Sequence, residues 1–298
     1  MGHTEPATEY YDIVAPAQWI LPVVLNSPHS GSVLPPDLLH QSSLSATALR
    51  RSEDCYIDEI FAGCVALGAP MLRAKLSRAY VDLNREPHEL DPRMFDDPLP
   101  GHMNSASPRV LSGLGTIPRI VGDGDVIYNQ KLELSEVLAR IDKIYRPYHR
   151  TLSAMLDQVY NETGFVCLID CHSMPSSAVE GARGNTRKVD IVLGDRFGAS
   201  CDPELVHLWR DGFAAAGLSV RLNHPYPGGF FTETHGQPRK GRHALQIEIN
   251  RSLYLNGAST LKSNNFNEIK DTVETVFEVF AGALPVFTSN AQHRAAAE

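Results

Sequence analysis

The chain has 298 residues, and its 27 Lys and Arg against 35 Asp and Glu give a formal net charge of −8. With 43% hydrophobic and 21% charged residues, its composition is that of an ordinary globular protein, which argues against the disordered, fibrous and membrane classes. The acidic balance argues against a nucleic-acid partner, because neutralising phosphates requires clustered Lys and Arg. No apolar run reaches the roughly 20 residues that span a bilayer, and the polar N-terminus lacks a signal-peptide pattern. We therefore expect a cytoplasmic protein without a membrane partner.

The cysteines are odd in number and form no CxxC pair, which argues against a disulfide framework and a thiolate zinc cluster. We expect them to pack as small apolar side chains.

Apolar runs of strand length alternate with longer helical patterns along the chain. Strands are expected at 22–26, 71–73, 80–83, 165–170, 189–193, 218–222 and 245–249. Helices are expected at 45–67, 132–159 with a kink at Pro147, from Asp202 onward, and 269–280. This alternation predicts a three-layer αβα fold whose central sheet is mostly parallel, with helices on both faces.

We expect one domain over residues 1–298, with flexible tails at about 1–12 and 288–298. Residues 86–127 are rich in proline and glycine and too long for a simple connector, which favours a long inserted segment with a function of its own. We call this segment the excursion.

Two histidines follow predicted strands, where sites form in open α/β sheets. His29 lies in SPHSG after the first strand, and His172 lies in DCHS after the strand at 165–170. Neutral imidazoles are natural zinc ligands, and a catalytic zinc needs a third protein ligand and an open position. Either histidine could instead be a hydrogen-bonded loop residue.

The helix expected at 45–67 offers acidic candidates for the third ligand. With 3.6 residues per turn, Glu53 and Asp54 each lie about 50° from the centre of the apolar stripe near Ile57. Asp58 lies about 90° away and is expected to be exposed or behind the ligands. Arg50 or Arg51 could pair with an acid at this border, and helical geometry does not choose between Glu53 and Asp54.

Glu248 lies within LQIEIN, whose alternation places it with Gln246 on one face and three apolar residues on the other. A buried acid is costly unless it is paired or functional. It is either an ion-pair partner of Arg251 or a general base for metal-bound water.

Several arginines could hold an anionic ligand, since their rigid fork suits carboxylates. Arg78 and the Asn84-Arg85 pair lie in SRAYVDLNREP, and three more flank the Glu248 strand: Arg239, Arg242 and Arg251. The Gly228-Gly229 pair, with His235 soon after, indicates a backbone-rich loop near the site.

The ordered motifs resemble the N-formylglutamate amidohydrolase family from about Val23 to Tyr254; they read SPHSG, SEDCYIDEIF, SRAYVDLNREP, IDCHSMP, PYPGGFFTETHG and HALQIEINRSLY. The resemblance implies a fold similar to zinc carboxypeptidases and aspartoacylases. It implies one zinc ion per chain with His29, Asp54 and His172 as ligands, and so favours Asp54 over Glu53. It places Glu248 at the general acid/base position.

Roles are also expected for the residues around the metal. Catalysis is assigned to Glu248 with Arg85, and the Asn84-Arg85 pair resembles one that binds a substrate carboxylate. Substrate binding is assigned to a wider set, which comprises Arg78, Asn84, Arg85, Gly229, His235 and Arg251.

The function implied is hydrolysis of N-formyl-L-glutamate, or a similar N-acyl amino acid, in histidine degradation. Well-known members read closer to GGYITRHYG where this chain has GGFFTETHG, which predicts that a contact to a substrate carboxylate is missing or moved. The alternatives are an aspartoacylase- or carboxypeptidase-like hydrolase, a non-catalytic anion-binding protein, and a cysteine hydrolase using Cys171. Adjacent residues of an extended segment point to opposite sides, which disfavours pairing of Cys171 with His172.

Overall fold

A computed structural model describes residues 8–122, 124–179, 189–257 and 259–295, with side chains to Ser289. The strands are β1 (Tyr11–Val14), β2 (Val23–Ser27), β3 (Met71–Ala74), β4 (Ile120–Val121), β5 (Asp125–Val126), β6 (Val166–Met174), β7 (Ile191–Gly194), β8 (Val220–Leu222) and β9 (Arg242–Asn250). The helices are α1 (Pro36–Gln41), α2 (Ala46–Leu49), α3 (Ile57–Ile60), α4 (Ala62–Ala66), α5 (Pro108–Leu111), α6 (Leu134–Arg140), α7 (Arg146–Thr163), α8 (Pro203–Ala215), α9 (Phe230–His235) and α10 (Phe266–Ala295).

Seven strands form one mixed sheet in the order β1-β3-β2-β6-β9-β7-β8. The four central strands β3, β2, β6 and β9 run parallel, whereas β1 pairs antiparallel with β3 and β7 pairs antiparallel with β9. The carboxyl ends of β2, β6 and β9 therefore meet at one edge, where an α/β sheet places its ligand site.

Helices cover both faces of the sheet. On one face α6 and α7 pack against Val166, Leu168 and Ala244. On the other, α3, α4, α8 and α10 pack against the alternate side chains of the same strands, such as Cys167 and Leu245. This arrangement confirms the predicted three-layer fold.

Some local predictions are wrong. The helix expected at 45–67 breaks between the 3-10 turn Arg50–Ser52 and α3, where Glu53 is extended and Tyr56 has a φ of 62°. Residues 80–83 form turns rather than a strand.

The structure describes parts of the segments expected as tails. β1 includes Tyr11 and Asp12, and α10 continues to Ala295. Residues 1–7 and 296–298 of those tails lie outside the described residues. The division of the chain into a single domain stays a prediction.

The long helical pattern at 132–159 is interrupted where proline was expected to disturb it. The backbone widens into a π-helical turn at Ile141–Tyr145 between α6 and α7, and Pro147 lies in the first turn of α7. The helical backbone continues through this turn, and a local π-helical widening is one way in which a helix accommodates a proline.

The excursion at 86–127 contains α5 and the β4–β5 pair, and it folds back onto residues 82–89. No helix in the described part of the chain is long and apolar enough to cross a bilayer. The cytoplasmic location expected from the sequence remains a prediction.

Candidate metal centre and active site

Three buried side chains converge beyond the carboxyl end of the sheet. His29 follows β2 and His172 lies near the end of β6, while Asp54 comes from the turn that precedes α3. Asp54 Oδ2 lies 3.0 Å from His172 Nδ1 and 3.6 Å from His29 Nδ1. One nitrogen or oxygen atom from each of the three lies within 4.8 Å of the others, so the group can hold a metal ion.

The other ring nitrogen of each histidine faces a buried carboxylate. His29 Nε2 lies 2.8 Å from Asp82 Oδ1, and His172 Nε2 lies 2.9 Å from Asp170 Oδ2. Such partners hold the proton on Nε2 and leave Nδ1 to ligate. His29 Nδ1 is buried without a hydrogen-bond partner among the described residues. A His₂Asp set with an unpaired inward nitrogen fits a divalent metal such as zinc.

Asp54 owes its position to contacts distant in sequence rather than to a helix. Its N–H donates to the His29 carbonyl at 3.0 Å, which ties the turn to the end of β2. Oδ1 accepts from Arg251 at 2.9 Å and from Ser173 at 3.1 Å. Burial opposes ionisation of Asp54, but His172, His29 and Arg251 hold its pKa well below its usual range. Asp54 is therefore an anionic ligand candidate.

Glu248 on β9 lies beside this cluster, since its Cα pairs with that of His172 in the parallel register of β9 and β6. Gln246 donates to Glu248 Oε1 at 2.7 Å, and both residues are buried on the face predicted from the alternation. Burial raises the pKa of Glu248 to about 7, against the opposing effect of the His172 charge. A carboxyl group with a pKa near neutrality can both accept and return a proton.

Asn84 contacts the histidine–carboxylate pair directly. Its Nδ2 lies 3.2 Å from Asp170 Oδ2 and 3.1 Å from His172 Nε2, and its Oδ1 accepts from the Phe231 N–H at 3.0 Å. A Cβ on Gly229 would lie 2.5 Å from the Asn84 side chain. Gly229 thus permits this close approach, and Asn84 positions the site by contacts within the protein.

The two arginines of SRAYVDLNREP share one acid. Arg78 Nη2 donates to Asp82 Oδ2 at 2.5 Å, whereas Arg85 Nη2 lies 3.5 Å from the same oxygen. Arg85 also donates to the main-chain carbonyls of Leu114 and Asn84. Burial opposes the charge of Asp82, but Arg78, Arg85 and His29 hold its pKa well below its usual range.

Arg78 makes a shorter contact than Arg85 to Asp82, the acid that is bonded to His29. The charges that raise the Arg78 pKa, against the opposing effect of burial, include Asp54 and Glu248 as well as Asp82. Arg251, the remaining predicted arginine at this end, is bonded to Asp54 and not to Glu248.

Other predicted candidates lie elsewhere. Glu53 is buried and pairs with Arg50 at 2.8 Å, and Asp58 pairs with Arg73 at 2.9 Å. Arg242 begins β9 at the opposite end from Glu248 and pairs with Asp157, and Arg239 lies just before it.

His235 ends α9, and its ring stacks against Phe231 with centroids 6.4 Å apart. Burial lowers its pKa to about 4, and its Nε2 has no hydrogen-bond partner among the described residues. It forms no part of the His29–Asp54–His172 group.

The sixth position of GGFFTETHG, where the related motif carries arginine, is Glu233. It pairs with Arg196 at 3.1 Å on the surface of α9. Glu233 is therefore engaged in a surface ion pair, and the predicted change in a substrate-carboxylate contact stays a prediction.

The cysteine-hydrolase alternative is contradicted. Cys171 packs into the apolar cluster on the face of the sheet opposite His172, and burial raises its pKa well above its usual value. All five cysteines are free and buried.

Three site residues were missed from the sequence. Asp170 precedes His172 by two residues on the same strand face, a spacing that could have identified it. Asp82 has no local signal that links it to His29. Tyr226 packs on Val192, whose Cα pairs with that of Glu248. Burial raises the Tyr226 pKa to about 12, with Glu248 and Asp54 adding to the effect.

Comparison with known proteins identifies relatives. The model of the family described as N-formylglutamate amidohydrolase matches residues 21–255. The N-formylglutamate deformylase of Pseudomonas putida is 30% identical over 238 residues, which cover 79% of this chain and 82% of the relative. The enzyme of the same name from Pseudomonas aeruginosa is 32% identical over the same shares.

Solved structures show the same architecture. The crystal structure of N-formylglutamate amidohydrolase from Ralstonia eutropha JMP134 superposes with a TM-score of 0.86 at 31% identity, covering 92% of this chain and 98% of that one. A gene product of Agrobacterium tumefaciens, 21% identical, superposes with a TM-score of 0.64 over 95% and 99% of the two chains and shares the fold.

Proposed function

We propose that the substrate is N-formyl-L-glutamate or a similar N-acyl amino acid, because this chain belongs to the N-formylglutamate amidohydrolase family. The chain is a hydrolase that acts on a linear amide bond. The products are the carboxylic acid, formate for the formyl substrate, and the free amino acid. The observation that carries this proposal is the His29–Asp54–His172 cluster beside the buried carboxyl group of Glu248.

The metal ligands in this proposal are His29, Asp54 and His172, with one zinc ion per chain. When bound, zinc lowers the pKa of a coordinated water and polarises the amide carbonyl. Asp82 and Asp170 orient the two imidazoles, and Asn84 holds the Asp170–His172 pair in place.

Glu248 is the proposed general base and acid. It accepts the proton of the attacking water and returns that proton to the leaving amine nitrogen. Its burial and its bond from Gln246 hold the carboxyl group on the metal-facing side of β9.

The arginines have different proposed roles: one stabilises the developing oxyanion and another binds a substrate carboxylate. Arg78 donates to Asp82, which is bonded to the candidate ligand His29, and this position suits it to stabilise negative charge on the carbonyl oxygen. Arg85 suits a substrate carboxylate, because its Nη2 has a single long contact among the described residues, to Asp82 at 3.5 Å. Arg251 holds Asp54 in the ligand position.

The test is metal analysis of the purified protein together with formate release from a panel of N-formyl amino acids. N-acetyl-L-aspartate and a dipeptide in the same panel test the aspartoacylase- and carboxypeptidase-like alternatives. We expect bound zinc and the highest kcat/KM on N-formyl-L-glutamate. Metal-independent turnover, or preference for either alternative substrate, contradicts the proposal.

A further inference from the structure

The excursion packs a segment that carries a third arginine, Arg109, against Arg85. Residues 107–116 dock onto 82–89 through two main-chain hydrogen bonds, from the Asp82 N–H to the Thr116 carbonyl at 2.7 Å and from the Thr116 N–H to the Glu89 carbonyl at 2.8 Å. A side chain adds a third, since Arg85 Nε donates to the Leu114 carbonyl at 2.8 Å. A Cβ on Gly115 would lie 2.2 Å from the Glu89 carbonyl oxygen. Glycine at this position therefore permits the docking.

Arg109 is carried on α5 within this docked segment. Its Nη1 lies 3.8 Å from Glu89 Oε2, beyond hydrogen-bond distance, and its side chain is 35% exposed. Its guanidinium makes no hydrogen bond to any other described residue. By contrast, Arg93 and Arg119 of the same excursion bond to Asp91 at 2.7 and 2.8 Å.

Positive charge exceeds negative charge around Arg85. Among the described residues, Arg85 and Arg109 each have one carboxylate within 4 Å, Asp82 and Glu89 respectively, and Asp82 is also bonded to Arg78 and His29. Burial lowers the pKa of Arg85 to about 10, and the charges of Arg78 and Arg109 add to this effect. A bound anion would relieve the repulsion between these groups.

The contacts of the arginines relate them to the metal cluster in turn. Arg78 and Arg85 both approach Asp82 Oδ2, and the other oxygen of Asp82 is bonded to His29. Arg109 contacts Glu89 instead, and its segment meets Arg85 through the Leu114 carbonyl. A substrate whose amide lies at the metal cluster would direct its more distant groups toward Arg85 and Arg109.

We propose that Arg109, together with Arg85, forms a subsite for a second carboxylate, which selects N-acyl dicarboxylic amino acids over their neutral counterparts. This inference rests on the proposed function of the same site. The side-chain carboxylate of N-formyl-L-glutamate, which N-formyl-L-glutamine lacks, is the group that this subsite would bind.

The experiment compares kcat/KM for N-formyl-L-glutamate and N-formyl-L-glutamine in the zinc-loaded wild-type enzyme and in Arg109→Gln. We expect the wild-type enzyme to prefer the glutamate substrate. In Arg109→Gln this preference falls by about ten- to a hundredfold, as expected for loss of a hydrogen bond between charged groups. The loss comes from a higher KM for formylglutamate, with formylglutamine unchanged.

Two further variants separate charge from folding. Arg109→Lys keeps the positive charge and is expected to retain part of the preference. Arg93→Gln removes an arginine of the same excursion that is held by Asp91, and the ratio should stay at its wild-type value. Equal losses on both substrates, or an unchanged ratio in Arg109→Gln, overturn the subsite while the proposed function stands. Failure of the wild-type enzyme to hydrolyse any N-formyl amino acid overturns the proposed function and the subsite with it.

Discussion

Glu248 on β9 and His172 on β6 are directly opposed in the parallel register of the two central strands. The pairing places a carboxyl group with a pKa of about 7 beside a candidate metal ligand. It does so through backbone hydrogen bonds of the sheet, not through a mobile loop. The proposed base is therefore held as rigidly as the sheet itself.

Replacing Glu248 by Gln tests this role. The amide keeps the shape and the burial of the carboxyl group but cannot accept a proton. Since general base catalysis contributes about 10²–10⁴-fold, we expect kcat to fall by that factor with little change in KM. The variant should bind zinc and melt at the wild-type temperature. Near-normal turnover would assign the proton transfer to another group.

The choice between the two adjacent acids can be tested by a matched pair of variants. Asp54→Asn should lose bound metal, since it removes a charged ligand candidate. Glu53→Gln should keep it, because the Glu53 carboxylate pairs with Arg50 instead. Metal content after dialysis is the measurement, with His29→Ala and His172→Ala expected to lose metal as well. Metal loss in Glu53→Gln alone would move the ligand by one residue.

The carboxylates behind the histidines should affect metal affinity without being ligands. Asp170→Asn removes the acceptor that holds the proton on His172 Nε2, and Asp82→Asn does the same for His29. Loss of such a partner typically weakens metal binding by about 10–100-fold. Competition with a chelator measures the affinity. Unchanged affinity in both variants would show that the imidazoles are oriented by other contacts.

His149 predicts how stability depends on pH. Its ring stacks on Tyr145 and Phe231, and its Nε2 contacts the Leu83 carbonyl at 2.9 Å. Burial lowers its pKa to about 4. In the unfolded chain this imidazole has a pKa of about 6.5, so as the pH falls it takes up its proton before the buried imidazole of the folded protein does. The contribution of His149 to stability is therefore fully present above pH 6.5. That stability is lost as the pH falls from about 6.5 to 4, by up to about 1.4 kcal/mol per pH unit.

Chemical denaturation of metal-free protein across this pH range provides the measurement. In His149→Gln the free energy of unfolding should depend less steeply on pH, whereas His207→Gln, at an exposed position of α8, should follow the wild-type curve. Parallel curves for the wild type and His149→Gln would exclude His149 as the source.

The features that the sequence predicts best are those with local causes. Alternation along β9 places Gln246 and Glu248 on one face because the period of a strand is fixed by its backbone. The strand-end position of His29 and His172 likewise follows from local pattern. The family resemblance selects Asp54, which spacing alone leaves undecided.

The features that cannot be predicted from the sequence depend on tertiary contacts. The helical arithmetic for Asp54 is wrong because Tyr56 has a positive φ and Asp54 bonds to the His29 carbonyl. Asp82 meets His29 across 53 residues of chain, and no periodicity records that contact. The segment that carries Arg109 contacts Arg85 only because it folds back onto residues 82–89.

The central place of β6 has a consequence for synthesis of the chain. This strand carries His172 and pairs on one side with β2, which is made early, and on the other with β9, which is completed at Asn250. Until β9 emerges from the ribosome, a nascent chain would present β6 as an unpaired apolar edge, a surface that invites pairing with other chains. Fragments that end before Arg242 should therefore aggregate, and the metal site should assemble only when synthesis is nearly finished.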